Sequence, residues 1–206
     1  MARDWNKFIL SSQDTILSAK VKLLYPSLFK PQLPQGEKDE SKARYQVTLL
    51  VPKTADVSVF KNAVDTLIAD KLTEKQRKET KLKKPFLKTE DQPKIVAMLE
   101  KAGLDPADFP IIIRANAKFK PIVKAANMDD VTDEEQVYSG RWACVSLRPY
   151  WFDHPTGGKG VSAGLGNVQL LDHDDVLSGG RIDANKEFEA VDGAGDGKGA
   201  SGVFDD

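Results

Sequence analysis

Residues 138–171 read YSGRWACVSLRPYWFDHPTGGKGVSAGLGNVQLL, and this stretch decides the fold. Along residues 141–152, small or aliphatic side chains alternate with a mixed set, which is the period of two of a half-buried strand. A glycine-rich turn at residues 156–160 and a second short apolar run that reaches Leu171 come next. This order of strand, turn and strand predicts a β-hairpin.

The first strand of this hairpin has two dissimilar faces. The face predicted to lie in the core carries Ala143, Val145 and Leu147. The opposite face and its immediate neighbours combine rings with cations: Arg141, Trp142, Cys144, Ser146, Arg148, Tyr150 and Trp151. An open face of this kind suits unstacked nucleic-acid bases, because a ring stacks on the base and a cation contacts the phosphate. The alternative is that Trp142 and Trp151 fill a core, since large aromatic side chains are highly buried on average.

The composition is that of a soluble globular domain. The chain has 206 residues, of which 40% are hydrophobic and 30% charged, and this length allows one domain with a sizeable core. No apolar run approaches the ~18 residues of a membrane span, and the N-terminus lacks the layout of a signal peptide. The single cysteine, Cys144, excludes an internal disulfide and fits a reducing cytoplasm.

The net charge of −1 conceals an asymmetry along the chain. Residues 1–128 hold 24 Lys and Arg against 15 Asp and Glu, whereas residues 129–206 hold 6 against 16. A basic body joined to an acidic end indicates a polyanionic partner.

Three further strands are predicted upstream of the hairpin. Residues 15–29 place Lys20 and Lys22 on the polar face of a strand that Pro26 and Pro31 end, and residues 43–51 form the next strand. Residues 111–120 form the third, with Phe119 assigned to the core face. The other face of the third strand is cationic and carries Arg114, Asn116, Lys118 and Lys120.

Helices are predicted between the second and third of these strands. Residues 56–72 have helical spacing with Thr54 or Asp56 as the cap, and residues 92–102 form a shorter helix that Gly103 ends. The lysine-rich residues 73–88 are interpreted as a solvated surface segment rather than a dedicated phosphate contact, and residues 123–136 as an acidic loop.

The five strand-like runs favour a mainly β fold with inserted helices (α+β), in which an oligonucleotide/oligosaccharide-binding (OB) barrel of five strands is the best match. The predicted organisation is a loose N-terminal arm at residues 1–15, the OB domain at residues 16–181 and a disordered acidic tail at residues 182–206. The tail is too rich in Gly, Ala, Asp and Glu to offset the entropy of ordering.

The residues that could support catalysis or metal binding lack the necessary spacing. Cys144, His154 and His173 are not spaced as zinc ligands. The glycine-rich turn departs from the phosphate-loop pattern, although Lys159 at its tip can contact a phosphate. Neither a catalytic residue nor a metal or cofactor is therefore expected, and a nuclease that uses residues 172–175 ranks third among the possible functions.

Several segments of the chain resemble a known family. The chain is similar to this family in the runs GRW and VSLRPY within residues 140–150, in KGVSAGLGNVQ at residues 159–169, and in the opening pattern AKVKLLYPSLFKP with RYQVTLLVPK. The family is that of the single-stranded DNA-binding proteins of tailed bacteriophages, long described as a domain of unknown function. The likeness spans residues 18–180 in the same order. It implies an OB barrel that coats single strands in replication, recombination or repair, and an acidic tail closed by an aromatic residue. This chain departs by placing Asp205 and Asp206 after Phe204.

The leading hypothesis is a non-enzymatic protein that binds single-stranded DNA without sequence specificity in the cytoplasm of the bacterial host. The residues expected to contact DNA are Lys20, Lys22, Arg114, Lys118, Lys120, Arg141, Trp142, Arg148, Tyr150, Trp151 and Lys159. The tail, with Phe204, Asp205 and Asp206, is expected either to mimic DNA and dock on replication or recombination proteins, or only to solubilise the protein. The alternative function is a phage assembly or interaction protein whose basic body and acidic tail bind other proteins.

Overall fold

The computed structural model describes residues 3–34, 36–155 and 157–177, which contain nine strands, three α-helices and four short 3-10 helices. The strands are β1 (Ile9–Ser12), β2 (Thr15–Leu17), β3 (Val21–Gln32), β4 (Arg44–Val51), β5 (Phe86–Lys88), β6 (Ile111–Ala117), β7 (Val123–Lys124), β8 (Trp142–His154) and β9 (Gly158–Leu170). The helices are α1 (Ser58–Lys71), α2 (Glu74–Glu79) and α3 (Pro93–Lys101).

Five of these strands close into a barrel. Antiparallel pairing joins β3 to β4, β4 to β6 and β8 to β9, while β6 and β9 run parallel. Pairing of β3 with β8 completes the ring. A five-stranded barrel of this topology is an OB fold. The predicted fold class and the predicted hairpin, formed by β8 and β9, are both confirmed.

Alternating apolar residues explain why these segments form barrel strands. Leu23, Leu49, Ile113, Val145 and Ala163, one from each barrel strand, are almost completely buried. Their neighbours along each strand point outward, as the period of two requires. The interior is therefore a packed hydrophobic core, and the outward faces carry the residues that can contact a ligand.

Helix α1 packs on this core through Phe60, Val64 and Ile68, which are spaced four residues apart and are all buried. The predicted helix is confirmed with slightly shorter bounds. The carboxylate of Asp56 accepts a hydrogen bond of 2.9 Å from the amide of Ser58, and this bond holds the pKa of Asp56 below its ordinary value. Asp56 thus satisfies one of the unpaired amides at the helix start.

Helix α3 lies outside the barrel and covers part of its surface. Ile95, Met98 and Leu99 form a second hydrophobic cluster with outward-facing Leu24, Leu50 and Ile112 from three barrel strands. The helix ends just before Gly103, whose φ of +73° suits glycine, as the sequence predicts. Because α3 covers only one part of the face formed by β3, β4 and β6, the remainder stays open.

The N-terminal segment is ordered, so the prediction of a loose arm is wrong for its described residues. Phe8 is buried with its ring 6.0 Å from that of Phe60, and β1 pairs with β2. Burial of the Phe8 ring and the pairing of β1 with β2 together hold this segment against the rest of the domain. The domain boundaries at residues 15/16 and 181/182 remain predictions, and the acidic tail at residues 182–206 lies outside the described residues.

Strand β3 continues past Pro26 and Pro31 to Gln32, whereas the sequence predicted that these prolines end it. Its ladder with β4 is irregular between Leu24 and Ser27 and again between Ser27 and Gln32. Both prolines lie at these interruptions, where a missing backbone donor is tolerated.

The lysine-rich segment contains regular structure as well as surface residues. It forms α2, which has a capping box of Thr73 and Gln76, and then β5. The backbone of Lys83 between them donates to the Lys159 carbonyl at 3.1 Å and accepts from the Val161 amide at 3.0 Å. Gly160 permits this approach, since a Cβ there would clash with the Lys83 backbone. In the described part of the chain, no helix combines the length and apolar character needed to cross a membrane.

Candidate nucleic-acid interface

An open groove of about 860 Å³ runs over the outward face of β4 and β6. Its floor and walls include Tyr25, Gln46, Thr48, Gln92, Pro93, Lys94, Ile95, Arg114 and Asn116. The start of α3 forms one wall of the groove. OB folds hold oligonucleotides against this pair of strands.

The register between β4 and β6 explains how the polar floor forms. Gln46 pairs with Asn116 and Thr48 pairs with Arg114, so the outward side chains lie in two rows. Val47, between them, points into the core. The floor therefore combines amide, hydroxyl and guanidinium groups, all of which can hydrogen-bond a nucleic-acid backbone.

Arg114 is the cation best placed in this groove. Its side chain is exposed, and Nη2 donates to the Oε1 of Gln92 at 2.8 Å. Among the described residues, no carboxylate forms an ion pair with Arg114. The guanidinium therefore has donors for a phosphate without first breaking a salt bridge. The prediction that Arg114 lies on the outward face of this strand is confirmed.

Tyr25 supplies an aromatic ring at the edge of the groove. It is 52% exposed, and its φ of +48° is a rare conformation for a bulky residue. Its amide donates to Ser139 Oγ at 2.9 Å, and its hydroxyl donates to the sulfur of Met98 at 3.6 Å. Sequence reasoning missed this residue because it precedes Pro26, at which the strand was expected to end. An aromatic residue within a lysine-containing strand was the available signal.

Three residues predicted to bind DNA contact a C-terminal segment, residues 171–177, which we name the strap. Lys22 Nζ lies 2.7 Å from the Asp174 carboxylate, and Trp142 Nε1 donates to the same carboxylate at 2.7 Å. Lys20 forms an ion pair with Asp172. Both lysines lie about 5 Å from the centre of the Trp142 ring. These groups therefore bind one another and the strap.

Arg141 is also bound to the strap. It is 6% exposed, and its guanidinium donates to the Leu171 carbonyl at 3.1 Å and contacts the ring of His173. Such a buried side chain cannot contact a phosphate while the strap is in place. Its role in this conformation is to hold the strap against β8.

The expectation of an open face along the whole of β8 is wrong for its first half. Trp142 is half-buried, with its ring 6.3 Å from that of Phe109, and Cys144 is 4% exposed. The Cys144 thiol lies 3.4 Å from the Ser18 carbonyl. The strap and the segment around β2 cover this half, and the sequence alternation contains no information about such distant segments.

Asp174 is ionised more readily than an ordinary aspartate. Partial burial alone would raise its pKa, but the hydrogen bonds from Lys22, the Asp175 amide and Trp142 outweigh that effect, so the pKa is lowered. The negative charge that fastens the strap is therefore present throughout the neutral range.

The second half of β8 matches the predicted open face. Arg148 is exposed and forms an ion pair of 3.1 Å with Asp14, and Tyr150 is 39% exposed. Lys159, at the tip of the hairpin, pairs with Asp153 at 3.1 Å. Trp151 is half-buried and packs against the main core, which is the alternative that the sequence left open.

A continuous row of residues joins the groove to this half of β8. Gln46 pairs with Asn116, Asn116 with Gly164, and Gly164 with Arg148. Tyr150 Cδ1 would lie 3.7 Å from a Cβ at position 164. Gly164 itself contributes no side chain to this row, so the backbone is uncovered at its position.

The end of β6 brings two predicted cations to the margin of the groove. Lys118 and Lys120 follow Ala117, the last residue of β6, and both are exposed. Phe119 between them is 84% exposed, so its assignment to the core is wrong. The strand ends two residues earlier, and the period of two no longer applies beyond that point. Within the described residues, no group of three or more His, Cys, Asp or Glu could hold a metal ion.

The barrel topology and the polar, aromatic groove define an OB-fold module whose open strand face is suited to a nucleic-acid strand. The family described as the Enterobacter phage Enc34 ssDNA-binding protein matches residues 14–197. The chain belongs to this family of phage single-stranded DNA-binding proteins, as the sequence resemblance implies.

Individual proteins are similar to the chain over most of its length. The putative protein p50 of Acyrthosiphon pisum secondary endosymbiont phage 1 is 24% identical over 174 residues, which cover 82% of this chain and 89% of that protein. The structure of the bacteriophage Enc34 single-stranded DNA-binding protein in complex with ssDNA matches with a TM-score of 0.62 and 22% identity, covering 86% of this chain and 97% of that one. Bacteriophage T7 gp2.5, also a single-stranded DNA-binding protein, matches with a TM-score of 0.54 and 14% identity, covering 84% and 99%.

Proposed function

We propose that this protein binds single-stranded DNA without sequence specificity and protects it during phage replication, recombination or repair in the host cytoplasm. The observation that carries the proposal is the groove on β4 and β6, where Arg114 and Tyr25 lie on the face that OB folds use. Family membership supports the same ligand.

In this proposal, cations hold phosphates and rings stack on bases. Arg114 and Lys94 contact the backbone within the groove, and Tyr25 stacks on a base at its edge. Every base has a π-face, and therefore such stacking is tolerant of sequence. Arg114 is suited to this role because it forms no ion pair with a carboxylate of the described residues. It can therefore contact a phosphate without breaking one.

The DNA path is proposed to continue in two directions from the groove. Lys118 and Lys120 contact phosphates beyond the end of β6. In the other direction the DNA strand crosses Gly164 and reaches Arg148 and Tyr150. The row of paired residues across four strands supports this second direction. Lys159, at the start of β9, is a further phosphate contact beside the loop between the last two barrel strands, which OB folds also use.

The remaining predicted contacts require a different arrangement of the strap. Lys20, Lys22, Arg141 and Trp142 hold Asp172, His173 and Asp174 in this conformation. They can reach DNA only after the strap has left them. We propose that they serve to fasten the strap, and that Trp151 supports the core.

The acidic tail is proposed to compete with DNA and to dock on replication or recombination proteins through Phe204, Asp205 and Asp206. Support comes from the last described residue, Leu177, whose amide donates to the Ser139 carbonyl at 2.7 Å. Ser139 also accepts the hydrogen bond from the Tyr25 amide. The described part of the chain thus ends at Leu177, close to Tyr25 at the groove edge. A polyanion tethered near this point would have a high effective concentration at the groove.

A titration of fluorescent oligo-dT and a duplex of matched length tests the proposed binding. The expected result is tighter binding of the single strand, with the same length of oligonucleotide recovered after incubation with Mg²⁺. Arg114→Ala should weaken binding, whereas Lys101→Ala, an exposed lysine at the opposite end of α3, should not. Equal affinity for duplex and single strand would contradict the proposal, and shortening of the oligonucleotide would indicate a nuclease.

A further inference from the structure

Phe119 is the most exposed large hydrophobic side chain among the described residues, with 84% of its surface accessible. It contributes nothing to either hydrophobic cluster of the protein. Lys118 and Lys120 flank it, and both are exposed. An exposed ring between two cations is the arrangement that stacks on a base while its neighbours contact phosphates.

The loop that carries Phe119 is held at both ends. Ala117 pairs with Tyr45 in the barrel before it, and after it the Ile122 carbonyl accepts from the Val168 amide at 2.9 Å. The ammonium of Lys120 lies 5.1 Å from the centre of the half-buried Phe29 ring. The ring is therefore presented on a short segment with fixed ends, which reduces the entropy lost when a ligand is bound.

The position of the loop relates it to the groove. Asn116, on the groove floor, lies only three residues before Phe119 on the same chain. Lys118 follows Ala117, the last residue of β6, and Phe119 comes directly after it. A DNA strand that leaves the groove in the direction of β6 would meet Lys118 and then Phe119.

The charges around Phe119 favour a polyanion over an apolar protein surface. Among the described residues, neither Lys118 nor Lys120 forms an ion pair with a carboxylate. The exposed Met128, by contrast, precedes Asp129 and Asp130. Nucleic acid is the ligand that can stack on the exposed ring and also contact two cations that have no carboxylate partner among the described residues.

We infer that Phe119 stacks on one base of the single strand just outside the groove, with Lys118 and Lys120 on the adjacent phosphates. This inference rests on the proposed function and adds a stacking residue that the sequence assigned to the core. The site accepts any base, since the ring offers no hydrogen bond that would distinguish one from another.

The test compares Phe119→Ala with Phe119→Trp on oligo-dT of increasing length. Loss of one stacked base should weaken binding of the longer oligonucleotides by about 5- to 150-fold, while Phe119→Trp should bind as tightly as the wild type. Oligonucleotides that fill only the groove should show no difference. Ile122→Ala is the matched control, because Ile122 is an exposed apolar residue of the same loop.

An abasic nucleotide identifies the stacked position. One abasic site is moved along the oligonucleotide, and the affinity is measured at each position. At one position the wild-type affinity should fall to that of Phe119→Ala, and the abasic site at that position should not weaken binding by Phe119→Ala any further. The inference is overturned if Phe119→Ala and the wild type bind oligonucleotides of every length with equal affinity while Arg114→Ala still weakens binding. That result would leave the proposed function intact. Sedimentation provides a second check. If Phe119→Ala self-associates more weakly than the wild type while its DNA affinity is unchanged, Phe119 contacts another copy of the chain and not a base, and the inference is overturned. Absence of any single-strand binding by the wild type would instead refute the proposed function.

Discussion

The ammonium group of Lys22 lies 2.7 Å from the carboxylate of Asp174, and only 3% of the lysine side chain is exposed. The same carboxylate accepts the indole N–H of Trp142. A buried lysine needs a partner, because an unpaired charge in the interior is costly. The strap is thus fastened to the barrel by residues whose sequence pattern suggested contacts with DNA.

Asp174→Asn should destabilise the protein, since it leaves the Lys22 charge buried without its counter-ion. The expected loss is about 2 kcal/mol, below the value for a fully buried pair because the Asp174 side chain is partly exposed. Urea unfolding measures this change. The control is Asp172→Asn, whose partner Lys20 is more accessible, and its effect should not exceed about 0.5 kcal/mol. Equal effects of the two substitutions would contradict the structural role of Lys22.

The strap should stay fastened until the pH falls below the ordinary aspartate value of 3.8. Because the folded-state pKa of Asp174 lies below its unfolded value, the ionised group adds stability above that pH. This contribution is lost as the pH falls through the lower folded-state pKa. Acid titration of the tryptophan emission measures the change at Trp142, and Asp174→Asn should remove it. A transition of the wild type centred above pH 3.8 that persists in the variant would refute this assignment.

Tyr25→Ala should weaken binding of oligo-dT by about 1–3 kcal/mol, the usual loss for one stacked base. Tyr25→Phe keeps the ring and gives up only the weak hydrogen bond to the Met98 sulfur, so its affinity should match that of the wild type. Fluorescence anisotropy of a labelled oligonucleotide measures both variants. Equal affinity of Tyr25→Ala and wild type would exclude Tyr25 from the DNA path.

Tyr150 and Trp151 are neighbours on β8 with different expected roles. Tyr150→Ala should weaken binding by about 1–3 kcal/mol without changing stability. Trp151→Ala should lower stability by about 2 kcal/mol or more, because truncation of a fully buried tryptophan costs about 3–5 kcal/mol and Trp151 is half-buried. Thermal unfolding and oligo-dT titration on each variant separate the two effects. The reverse pattern would mean that the outward and core faces are exchanged at this point.

The barrel was predictable from sequence because its information is local. The alternation of Ala143, Val145 and Leu147 with polar neighbours indicates a strand, and the glycine-rich turn fixes the hairpin. Arg114 on the outward face of β6 followed from the same period. Five such runs with helices inserted between two of them are enough to favour an OB fold.

The errors arose where distant segments or a strand end decide the outcome. Trp142 is covered by the strap, and Phe8 is buried against α1, neither of which can be read from nearby residues. Phe119 follows the apolar positions of β6 by period, but the strand ends at Ala117 and the ring is exposed. Tyr25 adopts a left-handed conformation that the sequence does not signal for tyrosine.

The dependence of oligo-dT affinity on salt tests the central claim most directly. If Arg114 and the lysines along the path hold phosphates, log affinity should fall linearly with log salt between roughly 50 mM and 200 mM, with a slope of about −0.7 per phosphate. Arg114→Ala should reduce the magnitude of this slope by about 0.7, and Lys101→Ala should leave it unchanged. An affinity that does not vary with salt, or an Arg114→Ala slope equal to that of the wild type, would contradict the account.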